Sequence, residues 1–231
     1  MPLIAVITGS TQGIGKSLAE VFVQDGFHVL AIARTRSKLE ALAKEIEAVE
    51  PYVCDVSQPH EVETLEKKIA EKYSCIDVLI NNAGIGYSEP IEATTWEHWN
   101  EVLQTNLTGP FLMTKMALPL LEKSERPHVF NICSTASRRG FAHSSSYCAS
   151  KFGLLGLTEV TRLELRPRGV RVTAVIPGAV HTPFWDGYAA GFDRSVMLDP
   201  HDVAVAIRDA YRQPANAVVE EILIKPACGD L

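Results

Sequence analysis

The stretch whose reading decides the fold is TGSTQGIGKS, residues 8–17, which follows the apolar run of residues 3–7 and opens a segment with helical periodicity. Gly9, Gly13 and Gly15 allow the backbone to approach an anion closely, and a helix N-terminus offers it free N–H groups and the positive end of a dipole. Two familiar anion-binding patterns come near this stretch. Gly15-Lys16-Ser17 imitates the end of a P-loop, but that motif needs a glycine at position 10, which is Ser10, and no acidic residue follows a strand where magnesium would require one. The common dinucleotide fingerprint G-x-G-x-x-G does not fit either, because the glycines here are spaced by four and then two residues.

Outward from this turn, short apolar runs recur near residues 3, 28, 52, 77, 128, 170 and 218, which predicts seven strands. The first of them are apolar at successive positions, as in a parallel sheet covered on both faces. Helical patterns fill the intervals at residues 13–25, 36–48, 58–73, 95–123, 145–165 and 200–213. Strand, helix, strand repeated from the start implies right-handed crossovers and an α/β fold. The expected architecture is a doubly wound Rossmann-type parallel sheet of seven strands in a three-layer sandwich. No linker or repeat interrupts it, so one dinucleotide-binding and catalytic domain is expected over residues 1–231.

Composition narrows the function. Lys and Arg number 22 against 28 Asp and Glu, a formal charge of −6, which disfavours nucleic acid as a partner. The five cysteines, none closer than 15 residues to another, form no CxxC and no evident disulfide framework, so a reducing, cytoplasmic setting is expected. No apolar run approaches the ~20 residues that cross a bilayer, and no signal-peptide pattern is read, so no membrane role is expected. The seven histidines show neither HExxH nor a helical pair, and no metal is expected.

In a doubly wound sheet, ligands collect at the carboxyl ends of the strands, and the residues with chemical potential fall there. The second strand ends in Ala33-Arg34-Thr35, where an NAD site would carry an acid. A guanidinium instead suits a 2′-phosphate, so the reading is NADP(H), with Arg36 and Ser10 as possible helpers. SSSYCASK places Tyr147 and Lys151 four residues apart on one helix face. An ammonium beside a tyrosine favours phenolate and would draw its pKa down from ~10. Ser134 has no base at nucleophile-activating spacing and no GxSxG occurs, which disfavours a serine hydrolase.

Taken together, TGSTQGIG, Asn81-Asn82-Ala83-Gly84, Asn106, Ser134, YCASK and PGAVHT, in this order, resemble the short-chain dehydrogenase/reductase family in its compact form, from Thr8 to about Thr182. The resemblance implies that Tyr147 donates or accepts the proton and that Lys151 is its electrostatic partner. It further implies that Ser134 holds the carbonyl oxygen and that Asn106 supports a proton path. It implies a coenzyme site of Gly9, Ser10, Gly13, Ile14, Gly15, Arg34, Thr35, Asp55, Val56, Asn82, Ala83, Gly84, Tyr147, Lys151, Pro177, Gly178, Val180 and Thr182. Asp55 would face the adenine amino group, and Thr182 with the Val180 backbone the nicotinamide carboxamide.

Residues 184–198 are expected to form a substrate lid, with Phe184, Trp185 and Tyr188 either walling a pocket or packing the loop down, and Gly187 and Gly191 permitting movement. Arg138 and Arg139 stand where an anionic substrate would pass. Arg126 and Arg168 are read near the mouth, where relatives bind a carrier protein. The segment VVEEILIKPACGDL lacks the glycine pair that commonly follows the last strand in the family. Apolar residues in excess along 95–123 and 145–165 point to a helical homo-oligomer interface, dimer or tetramer. The expected function is NADPH-dependent reduction of a ketone or aldehyde, reversibly. The alternatives are a 3-oxoacyl thioester reductase and, from another class, a non-catalytic NADP(H) sensor.

Overall fold

The computed structural model describes residues 2–187 and 193–229. Seven strands, β1 Leu3–Thr8, β2 Phe27–Ala33, β3 Val49–Val53, β4 Val78–Asn81, β5 His128–Ile132, β6 Arg171–Pro177 and β7 Glu221–Ile224, form one parallel sheet ordered β3-β2-β1-β4-β5-β6-β7. Strand residues alternate between two buried faces. Ala5, Ile7, Val29, Ala31, Ile80 and Phe130 pack against α1 Gly13–Gln24, α2 Arg36–Glu45 and α7 Pro200–Tyr211. Ile4, Val6, Leu30, Ile32, Leu79 and Val129 pack against α3 Pro59–Lys72 and α5 Gly109–Leu121. Double-sided burial is why the central strands read as continuous apolar runs without polar alternation.

The helix expected at 95–123 is divided. It comprises α4 Trp96–Leu103, a π-turn Gln104–Thr108 and α5 Gly109–Leu121, and is followed after β5 by α6 Ser145–Leu165. Pro110 supplies the reason. In a regular helix the carbonyl of Asn106 would accept from the N–H of residue 110, which proline lacks, and the ring crowds that carbonyl. The turn widens and turns Asn106 inward, where it is fully buried.

Strand order reverses between β1 and β4, so the crevice lies outside their carboxyl ends. Here the chain packs backbone on backbone. Thr8 Oγ1 accepts from the N–H groups of Asn82 and Ala83, each at 3.0 Å, while Asn82 Nδ2 donates to Thr8 O at 2.9 Å and Gly9 O at 3.1 Å. A Cβ on Gly15 would stand 2.1 Å from Gly9 O. That position therefore requires glycine for closeness. Gly15→Ala is expected to lose about 1–3 kcal/mol of stability, read as a lower urea midpoint; an unmoved midpoint would show that the turn yields freely.

Candidate active site

A cavity of ≈ 330 Å³ occupies this crevice. Every residue expected at the site lines it except Ser10, Gly15 and Asn106. Ser10 is fully buried behind the turn, its hydroxyl 3.5 Å from Ile32 O, so it backs the wall without facing the cavity. Gly15 is consumed by the close approach described above. Thr182 reaches the first turn from the other side: its Cγ2 lies 2.9 Å from where a Cβ on Gly13 would be, and Gly13 has φ +53°.

At the inner end, Tyr147 and Lys151 lie on one face of α6 near Ser134, as their spacing predicts. The Ser134 side chain is near enough to the Tyr147 hydroxyl to favour its ionised form. Burial nevertheless pushes this phenol up to about 12, the contact with Ser134 acting in the opposite direction. This reverses the expectation from spacing alone. Burial also pulls Lys151 down to about 8, with Cys133 acting weakly the other way. Lys151 Nζ donates to Ile132 O at 2.7 Å and stands 5.7 Å from the Tyr147 ring centre. Ser134 Oγ also accepts from Ala136 N–H at 3.1 Å, capping the short helical turn Thr135–Ser137 that fixes its position.

Asn106 sits behind this group. Its Nδ2 donates to Ile85 O at 2.9 Å and Ser150 Oγ at 3.0 Å, and its Oδ1 accepts from Ile85 N–H at 2.9 Å. The side chain thus clamps the loop after β4 against α6. Gly84 lies between them: a Cβ there would be 3.4 Å from Asn106 Oδ1 and 3.6 Å from Lys151 Nζ.

At the outer end, Arg34, Thr35 and Asp55 meet, with Arg34 Nη1 at 3.9 Å from Asp55 Oδ2. Asp55 also accepts from Ser57 N–H and Oγ at 3.0 and 2.7 Å, so its local capping contact and its place in the cavity coexist. Arg36 faces elsewhere, into a hollow with Tyr52, Glu61 and Lys68. Lys38 takes the place expected for it and lines the cavity. Two residues on a helix differ by ~200° in direction, so Arg36 and Lys38 cannot share a face. Arg34 precedes α2, so no helical interval in the sequence marked Lys38. Thr105 and Cys133 also line the cavity without having been anticipated.

Lys16, the residue that would serve a triphosphate, is turned away. Its Nζ lies 2.7 and 2.9 Å from the Glu45 carboxylate, which raises its pKa. Phe184 leans over Tyr147 with ring centres 5.3 Å apart, and Trp185 Nε1 donates to Val180 O at 2.9 Å. Tyr188 and Gly191, expected in the lid, lie outside the described residues. Arg138 pairs with Glu221, and Arg139 lies 4.6 Å from the Phe141 ring centre.

Arg126 and Arg168 are corrected: they lie at the amino-terminal edge of the sheet, away from the cavity. Arg126 precedes β5 and donates to Tyr211 O and Gln213 O at 3.2 and 2.7 Å, while Arg168 pairs with Glu122. The 21 residues of α6 carry the chain back across the sheet before Arg168, a distance invisible to local sequence. Among the described residues, no helix is long and apolar enough to cross a membrane, and no cluster of three or more His, Cys, Asp or Glu side chains could hold a metal ion.

Comparison with known proteins agrees with this geometry. The family model for short chain dehydrogenase matches residues 3–191, and the chain belongs to that family of oxidoreductases. It is 38% identical over 242 aligned positions to a sepiapterin reductase from Chlorobaculum tepidum, covering 100% of this chain and 99% of the relative. A 3-oxoacyl-acyl-carrier-protein reductase from Thermotoga maritima is 36% identical over 78% of this chain and 75% of its own length. An alcohol dehydrogenase from Thermococcus sibiricus, solved with 5-hydroxy-NADP, superposes with TM-score 0.89 at 30% identity, covering 97% of both chains. A metagenomic short-chain oxidoreductase solved with NADP gives 0.86 at 30% identity, again over 97% of both.

Replacing Asn106 by Ala would orphan both backbone groups of Ile85. The variant is expected to lose about 2–4 kcal/mol in urea unfolding; a loss under 1 kcal/mol would mean that the loop finds other partners.

Proposed function

We propose that this oxidoreductase is an NADPH-dependent carbonyl reductase in which Tyr147 protonates the oxygen of a ketone or aldehyde. The observation that carries the reading is a half-buried phenol, close to Ser134 and Lys151, in one cavity with the glycine turn and Arg34. The residues fit the coenzyme. Gly9 and Gly13 present open backbone to its phosphates, Arg34 with Lys38 offers cations to a 2′-phosphate, and Asp55 and Thr182 stand at opposite ends. The structures solved with NADP and an NADP analogue support this choice.

The reduced nicotinamide supplies hydride to the carbonyl carbon. Negative charge then develops on the substrate oxygen, and Ser134 Oγ–H and Tyr147 Oη–H are the donors placed to meet it. A phenol held near 12 keeps its proton at neutral pH, so it enters the reaction as the acid, and its weak acidity must be offset by its surroundings as phenolate forms. Lys151, charged below about 8, lowers the cost of phenolate as the proton leaves. Asn106 acts by fixing the loop around Ile85 and the face of α6 through Ser150. No sensor would need this set.

Two substrate readings follow. Phe184 over Tyr147, with Trp185 edge-on to Phe184 at 5.8 Å and 88°, forms an aromatic wall suited to a planar substrate. Together with the full-length similarity to a sepiapterin reductase, this favours a ketone on the side chain of a flat heterocycle such as a pterin. A 3-oxoacyl thioester on a carrier protein is the lesser reading, because Arg126 and Arg168 are turned to structural work. The free cysteines fit a cytoplasmic setting. Exposed Phe111, Phe152, Val160 and Leu163 on α5 and α6 support a homo-oligomer joined through those helices.

A panel of sepiapterin, simple aryl and alkyl ketones and acetoacetyl thioesters, with NADPH oxidation followed optically, is expected to show the fastest turnover with the heterocyclic ketone. Turnover of none would leave a coenzyme-binding protein without this activity. Tyr147→Phe is expected to reduce kcat by at least ~10³-fold while the Kd for NADPH changes less than threefold; retention of most of the rate would remove Tyr147 as donor. The pH profile offers an independent check. The Lys151 ammonium is present below about 8 and lost above it, whereas the Tyr147 phenol does not titrate until about 12. Accordingly kcat/KM for reduction should be level toward neutrality and fall with rising pH above about 8, and a rate rising through that window would contradict the assignment.

A further inference from the structure

Glu101 lies on α4 four residues before Thr105, a residue of the cavity wall. One helical turn brings them to the same face. Glu101 Oε1 is 3.7 Å from Arg34 Nη1, the same nitrogen that is 3.9 Å from Asp55 Oδ2. Both distances exceed a hydrogen bond, so the guanidinium is drawn toward two carboxylates without being bonded to either through this nitrogen. Asp55 has its own explanation in Ser57. Glu101 does not.

Nor is Glu101 a loose surface acid. Tyr87 Oη donates to its Oε2 at 2.6 Å, and the Tyr87 ring stacks on His98 with centres 3.9 Å apart and planes at 10°. His98 Nδ1 lies 2.6 Å from Glu89 Oε1, and Glu89 N–H donates to His143 O at 2.8 Å. A continuous set of contacts therefore holds one carboxylate beside Arg34, anchored in the loop after β4 and the loop before α6.

Resting on the reading that Arg34 receives the 2′-phosphate of NADP(H), we propose that Glu101 competes with that phosphate for Arg34 and so tempers the preference for the phosphorylated coenzyme. The two anions need the same cation. A phosphate dianion accepts bidentate bonds that Glu101, at its present distance, does not make, so it wins the guanidinium but must draw it from the carboxylate's field. The uncharged 2′-hydroxyl of NADH makes no such demand, so Glu101 has little hold on NADH affinity. The opposite sign is physically available: a carboxylate can also steady an arginine where a phosphate needs it. The long separations favour competition over support.

Binding of NADPH and NADH to the whole protein without substrate, followed by tryptophan fluorescence or calorimetry, tests this. Glu101→Gln keeps the shape and the acceptor for Tyr87 while removing the charge. Its Kd for NADPH is expected to fall about two- to fivefold, the range of one partly exposed ion pair, with the Kd for NADH moving less. In an Arg34→Ala background the same substitution should shift NADPH affinity by less than twofold. Weaker NADPH binding by Glu101→Gln, an equal shift for both coenzymes, or a full effect without Arg34 would each overturn the proposal. A wild-type protein with no preference for NADPH would bring down the underlying phosphate reading, and that result is visible before any variant is made.

Discussion

The tight junction between the first turn and the end of β4 is the constraint on which the site depends. The Thr8 hydroxyl and the Asn82 side chain bind each other's backbone reciprocally, and Gly15 lies so near Gly9 O that no side chain fits. Because β1 and β4 flank the point where strand order reverses, this junction forms the floor of the crevice. Closing it orients the open N-terminus of α1 and delivers Gly84 to the neighbourhood of Asn106 and Lys151. Backbone groups held this way need no rearrangement to meet an anion, which is the advantage of a preformed site.

The inner end of the cavity works against the natural charge preferences of its residues. Burial disfavours both phenolate and ammonium, raising Tyr147 and lowering Lys151. The two effects together leave the phenol protonated at neutral pH and bring the amine close enough to neutrality to respond to its surroundings. At the outer end the situation is opposite. Arg34 is half exposed among carboxylates, where single ion pairs are weak and solvent-screened.

Several assignments were legible because they depend on local chemistry. Seven strands, the helices between them, the glycine turn and the Tyr147–Lys151 pair follow from periodicity and spacing, and the structure brings nearly all of the named residues to one cavity. The departures share a cause. Arg126 and Arg168 were misplaced since a helix can carry the chain to the far edge of the sheet. Arg36 was named as a helper and Lys38 was not, since helix phase depends on where α2 begins. The single helix at 95–123 broke at Asn106 because Pro110 removes one donor, a consequence that periodicity averages away.

The order of residue types along the chain thus determined the layered α/β architecture and the close glycine turn, because each rests on contacts within a turn or a strand, and its motifs named the candidate side chains through resemblance to a family. The tertiary structure alone decided the state of those side chains. Whether Tyr147 holds its proton, which way Lys16 points and which carboxylates surround Arg34 depend on burial and on neighbours up to 67 residues away in sequence, as Glu101 is from Arg34. Desolvation and Coulomb fields act through space, so only the folded arrangement sets them.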